Sequence, residues 1–452
     1  MQRLPLAGVR VLDLTRVVAG PFLTKQLADL GAEVIKVESV QVPDETRYQR
    51  VLPIWPDNRP GDRPWNSTWY FNNHNRNKLG ITIDITAELG QEIIRRLAAI
   101  SDVVADNYRP GVLEKVGLDD RSLRRVAPDI ITISLSGFGD RGPWRQFSAY
   151  GTTVEFMSGL ASLTGYPDGE ILPTGQPYGD WCSAMLGTVA VLMALAYRRR
   201  TGKGQRIDLS ESEAVTSLIG AELLGFQLTG ELPRRIGNRH PTWTPHGYFP
   251  CAGNDRWIGI AIRNDAEWRT LTALMGQPEL ADDPRFATAP ARKQHEDELE
   301  AVVAAWTRQH EAETLFHQLQ AAGIAAGPVN SAKQVLLDPH LQARGYFQRV
   351  EFPPERQMPP LWFAKNPLVF NGERPGIRFP APDLGEHNRT VLRELLGLSD
   401  EEIEVLVLTE VIGEVPLSPR LDFSPTDITL LEQQGAIAAA DADYRHIVGL
   451  DP

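Results

Sequence analysis

VRVLDLTRVVAGPFLTKQLADLGAEVIKVE, residues 9–38, reads as strand, turn, helix and strand in that order. VRVLDL (9–14) is a short apolar strand and TRVVAGP turns; FLTKQLADLG then repeats its apolar residues at helical spacing, with Pro21 in the first turn, and AEVIKVE (32–38) is a second strand. Two strands joined through a helix make a βαβ unit, which commits this part of the chain to a parallel sheet covered by helices.

The alternation continues outward. LGITIDI and TAELGQEIIRRLAAIS give a third strand and its helix, and DVVADNY (102–108) and DIITISLSGFG (129–139) two further strands. No GxGxxG follows the first strand, so the dinucleotide fingerprint of a nicotinamide dehydrogenase is missing. Ligands of such sheets bind beyond the carboxyl ends of the strands, which nominates residues 16–20, the NYRPG turn and SGFGDRGPW for one crevice. The segment 39–78, with Trp55, Trp65 and Trp69, is longer than a connection requires, and Arg47 and Trp55 are candidate substrate contacts.

The expected fold is α/β: a large Rossmann-like parallel-sheet domain built from N- and C-terminal segments, plus a smaller α+β domain. The large domain takes 1–205; 206–233 is a linker that opens with a strand and a helix; 234–338 is the small domain; 339–412 returns to the large one; and 413–452 is an extension without an assigned role.

Composition sets the class. The chain has 452 residues, 42% hydrophobic, and a formal charge of -12, which argues against nucleic acid as a partner. Two cysteines, Cys182 and Cys251, form neither a disulfide framework nor a CxxC pair, so a reducing cytoplasm is the expected location. The nine histidines show no metal-ligand spacing, and HEAETLFH (310–317) reads as a solvated helix.

YGDWCSAMLGTVAVLMALAYRRR, residues 178–200, holds an uncharged run at the short limit for a membrane span, interrupted by Ser183, Gly187 and Thr188. It reads as a buried helix of a soluble chain, with no membrane span. Asp180 stands where a helix cap is expected, and also where the helix dipole would hold a nucleophilic carboxylate ionised. Gly175 and Gly179 would allow a ligand close to the backbone, and Ser183, Ala184 and Gly187 suit tight packing beneath a site.

Taken together, VRVLDLTRVVAGPFLTKQLADLGAEVIKVE, NRNKLGITIDI, DNYRPGVLEKVGL, SAYGTTVEFMSGLASLTG, GDWCSAMLGTVAVLMAL, RRRTGKGQRIDLSESEAV and APDLGEHN resemble the family III CoA-transferases, to about residue 412. The resemblance implies a CoA-transferase that moves CoA from an acyl-CoA to a carboxylic acid, with Asp180 as the acyl-accepting aspartate. It implies CoA contacts at Asn107, Tyr108 and Lys115, and places Arg16 and Val18 in a loop near the acyl group, where the oxalate enzymes have His and Gln. It implies no permanently bound cofactor and no metal, the CoA thioester being a co-substrate, and an interlaced homodimer. The related racemases pair the aspartate with a histidine; Tyr150 stands there instead, a phenol being a poor α-proton base at neutral pH, and is expected to orient substrate or line the CoA channel. In place of a glycine lid the small domain has GNRHPTWTPHG, with His240 and His246 as possible substrate contacts and a pattern nearer the carnitine and bile-acid branch, implying a larger acyl group. An acyl-CoA racemase and a non-catalytic acyl-CoA-binding protein are the alternative readings.

Overall fold

The computed structural model describes residues 4–48, 55–418 and 421–450. The chain forms two compact units. The first runs to Leu160, resumes over Thr174–Ala221 and returns from Asp338; the second takes Ala161–Pro173 and Glu222–Leu337.

The first unit is built on β1 (Arg10–Asp13), β2 (Glu33–Glu38), β3 (Lys78–Thr82), β4 (Val103–Asp106), β5 (Ile131–Ser136) and β6 (Arg206–Ser210). All are parallel, in the order β3-β2-β1-β4-β5-β6, the doubly wound arrangement expected from the sequence. The strand anticipated at the head of the 206–233 stretch is thus the sheet's edge, and its exposed Arg206 and Asp208 suit that place.

Helix α1 (Ala19–Asp29) follows β1 and α2 (Glu88–Ala99) follows β3; α3 (Gly151–Met157) and α4 (Tyr178–Thr201) lie between β5 and β6, and α5 (Glu211–Thr216) follows β6. Alternate strand residues feed two cores. Leu12, Ile35, Ile81 and Val104 join Ile93 and Leu97 of α2 with Val391, Leu392 and Leu406 of the returning C-terminal segment. Val11, Val34, Val103 and Ile133 join Leu23 and Leu27 of α1 with Ala184 and Val191 of α4. Each such side chain withdrawn from water contributes about 1.5–3 kcal/mol. The return is tied to β3 by backbone: His387 N donates to Gly80 O (2.8 Å), and Gly80 N donates to His387 Nδ1 (3.1 Å). The large unit is therefore assembled from both ends of the chain.

By length and composition α4 is the one helix among the described residues able to cross a membrane. One face packs on α1 and the sheet so closely that a Cβ on Gly187 would lie 2.4 Å from Leu23 Cδ1. The other face, Met185, Leu186, Val189 and Met193, is exposed, so the expectation of a wholly buried helix holds for one side only.

The second unit is α+β. Its antiparallel sheet, β7 (His246–Pro250), β8 (Trp257–Ala261) and β9 (Ala325–Pro328), shares a core with helices Asp265–Leu274, Glu296–Thr307 and Ala312–Ala321. Ala312–Ala321 begins inside the stretch read as solvated, yet it buries Leu315 and Leu319.

Beyond residue 412 the extension straps the 55–66 loop and the strand Leu361–Ala364 of its own unit. Phe423 meets Trp55 edge-on at 6.5 Å, Arg445 pairs with Asp57 at 2.8 Å, and Trp362 Nε1 donates to Val448 O at 2.9 Å.

Candidate active site

The strand order reverses between β1 and β4, so the loops leaving their carboxyl ends diverge and open a crevice. Asn107 bridges it: Arg16 N donates to Asn107 Oδ1 (2.7 Å), and Asn107 Nδ2 donates back to Arg16 O (2.7 Å). The closed pair of bonds fixes a strained turn, because the next residue, Val17, is β-branched and held at φ +67°. A conformation of that kind costs about 1–3 kcal/mol. Asp44 helps to hold it, with both carboxylate oxygens 3.3 Å from Val17 N.

Asp44 is fixed from below. Burial works against its charge, but Lys36 at 3.1 Å and the Thr46 N–H draw its pKa down to about 2. Beside it, buried Asp13 accepts from Lys78 (2.9 Å) and from Thr24 Oγ1 (2.7 Å). Removing one member of such a pair leaves a stranded charge, a loss of about 3–5 kcal/mol. The signs of this network in the sequence are charged residues inside apolar strands, Asp13 in VRVLDL and Lys36 in EVIKVE.

Asp180 is not the helix cap. Helix α4 begins at Tyr178 after Pro177, which puts Asp180 third in the first turn. Its Oδ1 instead accepts from Ala19 N, the first residue of α1, at 3.2 Å. Two helix N-termini therefore meet at one carboxylate. Burial pushes its pKa up to about 6, against the opposing pull of the Ala19 N–H and its own N–H. At neutral pH it is ionised, yet more basic than an ordinary aspartate.

The carboxylate faces a cleft of about 380 Å³, in which Arg16, Asn107, Tyr108, Tyr150 and Asp180 come together. The nominated SGFGDRGPW loop, 136–144, supplies another wall with Ser136, Gly137 and Phe138, and the residues after it add Arg145 and Phe147. Tyr150 stands at the N-terminus of α3 and is 63% exposed. Two sequence candidates lie off the cleft wall: Val18 is buried at the start of α1, and Lys115 is exposed at the end of the short helix Val112–Lys115. Gly179 packs against Val154 of α3, a helix contact rather than a ligand approach, and a Cβ on Gly175 would meet nothing within 4 Å among the described residues.

Arg47 and Trp55, read as candidate substrate contacts, are structural anchors. The Arg47 guanidinium is fully buried, donates to both Glu38 oxygens (2.7 and 2.8 Å) and lies 3.4 Å over the Phe71 ring. Trp55 is buried and donates from Nε1 to Pro64 O at 2.8 Å. In the second unit, His240 stacks on Trp243 at 4.3 Å and accepts from Trp243 N, and His246 Nδ1 lies 2.8 Å from Asn238 O, so both tie their loop to itself.

One wall residue escaped the sequence reading. Glu211, first in α5, is 7% exposed and lines the same cleft as Asp180; burial and then the Asp180 charge push its pKa up to about 8. Behind Ser210 in SESEA it reads as an ordinary helix-start glutamate.

A family profile described as CoA-transferase family III matches residues 6–388. The chain is 37% identical over 409 residues to the succinyl-CoA–D-citramalate CoA-transferase of Chloroflexus aurantiacus, covering 90% of this chain and 98% of that one. It is 35% identical over 395 residues to the succinate–glutarate CoA-transferase of Agrobacterium fabrum, covering 86% and 96% respectively. A solved CAIB/BAIF family protein from Brucella suis superimposes with a TM-score of 0.79 at 34% identity, over 87% of this chain and 100% of that one.

Proposed function

The chain belongs to CoA-transferase family III, and we propose that it moves CoA from succinyl-CoA or a similar acyl-CoA to a short dicarboxylic acid through a covalent intermediate on Asp180. In this scheme the carboxylate attacks the thioester carbon to give a mixed anhydride and CoA thiolate, and the sulfur attacks the aspartyl carbonyl and expels the donor as a free carboxylate. The acceptor carboxylate then attacks the aspartyl-CoA thioester to give a second mixed anhydride, and the released CoA thiolate attacks its acceptor carbonyl, forming the new acyl-CoA and freeing Asp180. One difficult exchange is divided into easier acyl transfers.

The observation that carries this reading is the position of Asp180, raised in basicity and set where α1 and α4 begin, at the wall of an open cleft. Helix N-termini favour negative charge, so the Ala19 N–H and its surroundings support the oxyanion formed at each attack.

The dicarboxylate class draws on the named relatives, which act on succinyl, citramalate and glutarate groups. Arg16 suits the second carboxylate: it lines the cleft, and its Nη2 donates to Pro43 O at 2.9 Å. CoA is assigned to the exit of β4, with Tyr108 on the wall and Lys115 as counter-charge for a phosphate, while Asn107 acts by holding the Arg16 backbone. The exposed stripe Met185, Leu186, Val189 and Met193 is the face proposed to be covered in a homodimer.

The test is transfer from succinyl-CoA to glutarate or citramalate. Asp180→Ala is expected to lose transfer by at least about 10³-fold while retaining succinyl-CoA binding. Unchanged turnover would contradict the proposal.

A further inference from the structure

Glu211 is only 7% exposed and lines the Asp180 cleft, and its carboxyl makes no hydrogen bond or ion pair among the described residues. A buried carboxyl left unpaired costs stability, and a carboxyl of that kind beside a reactive carboxylate calls for a chemical account. α5 packs against α3, α4 and β6. On α3, the Glu155 carboxylate is occupied by Thr174 N (2.8 Å) and Oγ1 (3.1 Å); on β6, Asp208 accepts from Asp140 N (3.1 Å). Asp180, on α4, is the charge that acts on Glu211. Arg16, Glu45, Arg109, Arg145 and Tyr150 share the cleft wall.

Resting on the covalent reading above, we propose that Glu211 is the proton carrier for the CoA sulfur, a second catalytic residue that donates its proton to the departing thiolate and takes it back when the thiol attacks. When Asp180 Oδ bonds to the thioester carbon, the C–S bond breaks and its electron pair leaves on sulfur, which takes the Glu211 proton. Asp180, now acylated, is neutral, and Glu211 is a carboxylate. In the return step the thiol attacks the aspartyl carbonyl, its proton goes to Glu211, and the original acyl group departs as a carboxylate. The Asp180 and Glu211 pair exchanges one negative charge between its members during acylation, so the two are never ionised together.

The charge coupling fits this role. While Asp180 is ionised, burial and its negative charge keep Glu211 protonated, with a pKa up at about 8; acylation removes that charge and frees the proton at the moment the sulfur needs it.

Single-turnover thiol release, with hydroxylamine trapping the acylated aspartate, is measured for wild type and Glu211→Gln. Two donors are compared: succinyl-CoA and the succinyl thioester of p-nitrothiophenol, whose thiolate is stable without a proton. Glu211→Gln is expected to slow release from succinyl-CoA by on the order of 10²-fold, to leave the aryl thioester within a few-fold of wild type, and to lack the alkaline fall in rate expected of wild type. Equal losses with both donors, or none with either, would overturn the proposal while the aspartyl adduct still stands. Absence of the wild-type adduct itself would overturn both readings. The wild-type solvent deuterium isotope effect gives a check without substitution: it is expected with succinyl-CoA and not with the aryl thioester, and its absence with succinyl-CoA counts against the proposal.

Discussion

A Cβ on Gly151 would lie 2.1 Å from Oδ2 of Asp180 and 2.8 Å from Pro177 Cβ. The first residue of α3 is therefore a glycine because the carboxylate occupies the space of a side chain, not because the backbone needs positive φ. Gly151→Ala is expected to fold normally and to displace the carboxylate by a fraction of an ångström to an ångström. Such misplacement costs up to about 10²-fold in rate. Steady-state kinetics alongside circular dichroism would check this, with kcat falling more than succinyl-CoA affinity.

The raised pKa of Asp180 sets an acid limb. Attack requires the ionised form, so the rate of acylation is expected to fall about tenfold per pH unit below roughly 6, where an ordinary aspartate would hold its rate to about 4. A pH profile of single-turnover acylation reads it directly.

The same shift has a stability consequence of opposite sense. The folded state binds the Asp180 proton more tightly than the unfolded state, so this group's contribution falls as pH rises from 3.8 through about 6, and the full cost remains above that. Asp180→Asn is expected to be inactive but more stable than wild type at pH 8, by on the order of 1–3 kcal/mol, with the gain vanishing near pH 4. Urea unfolding at the two pH values tests the sign.

Asn107 carries its effect through Arg16. Asn107→Ala removes both bonds to the Arg16 backbone and leaves the strained Val17 turn to Asp44 alone, a loss of about 1–3 kcal/mol. Reduced urea stability and a rise in KM for both substrates are the expected outcomes. If Arg16 reads the second carboxylate, Arg16→Met is expected to raise KM for a dicarboxylate acceptor about 10–100-fold and to leave a monocarboxylate of similar length almost unchanged.

Met193 lies on the exposed apolar face of α4, 67% exposed in the single chain. Met193→Glu is expected to shift sedimentation equilibrium from dimer toward monomer, with far-ultraviolet ellipticity retained. A monomeric wild type would remove the proposed homodimer.

Much of the frame was legible in the sequence because its signals are local. The VRVLDL and AEVIKVE runs, and the 3.6-residue spacing of TAELGQEIIRRLAAIS, lead directly to β1, β2 and α2. Strand polarity then nominates the loops that do meet at the cleft. The failures are of another kind. Arg47 and Trp55 looked available because nothing nearby in sequence marks Glu38 or Pro64 as their partners. Glu211 was passed over because its meaning depends on Asp180, 31 residues earlier and brought near only by the packing of α4 on α5. Asp180 was placed as a cap because the helix start was read from its charge, whereas Pro177 sets it three residues sooner than an Asp180 cap allows.

The most direct test of the central claim is to incubate the enzyme with succinyl-CoA and hydroxylamine, digest it, and map the peptide containing residues 178–200 by mass spectrometry. The expected result is a hydroxamate on Asp180 that requires succinyl-CoA and is lost in Asp180→Asn. Transfer proceeding at full rate with no hydroxamate on Asp180, or with the hydroxamate on another residue, would contradict it.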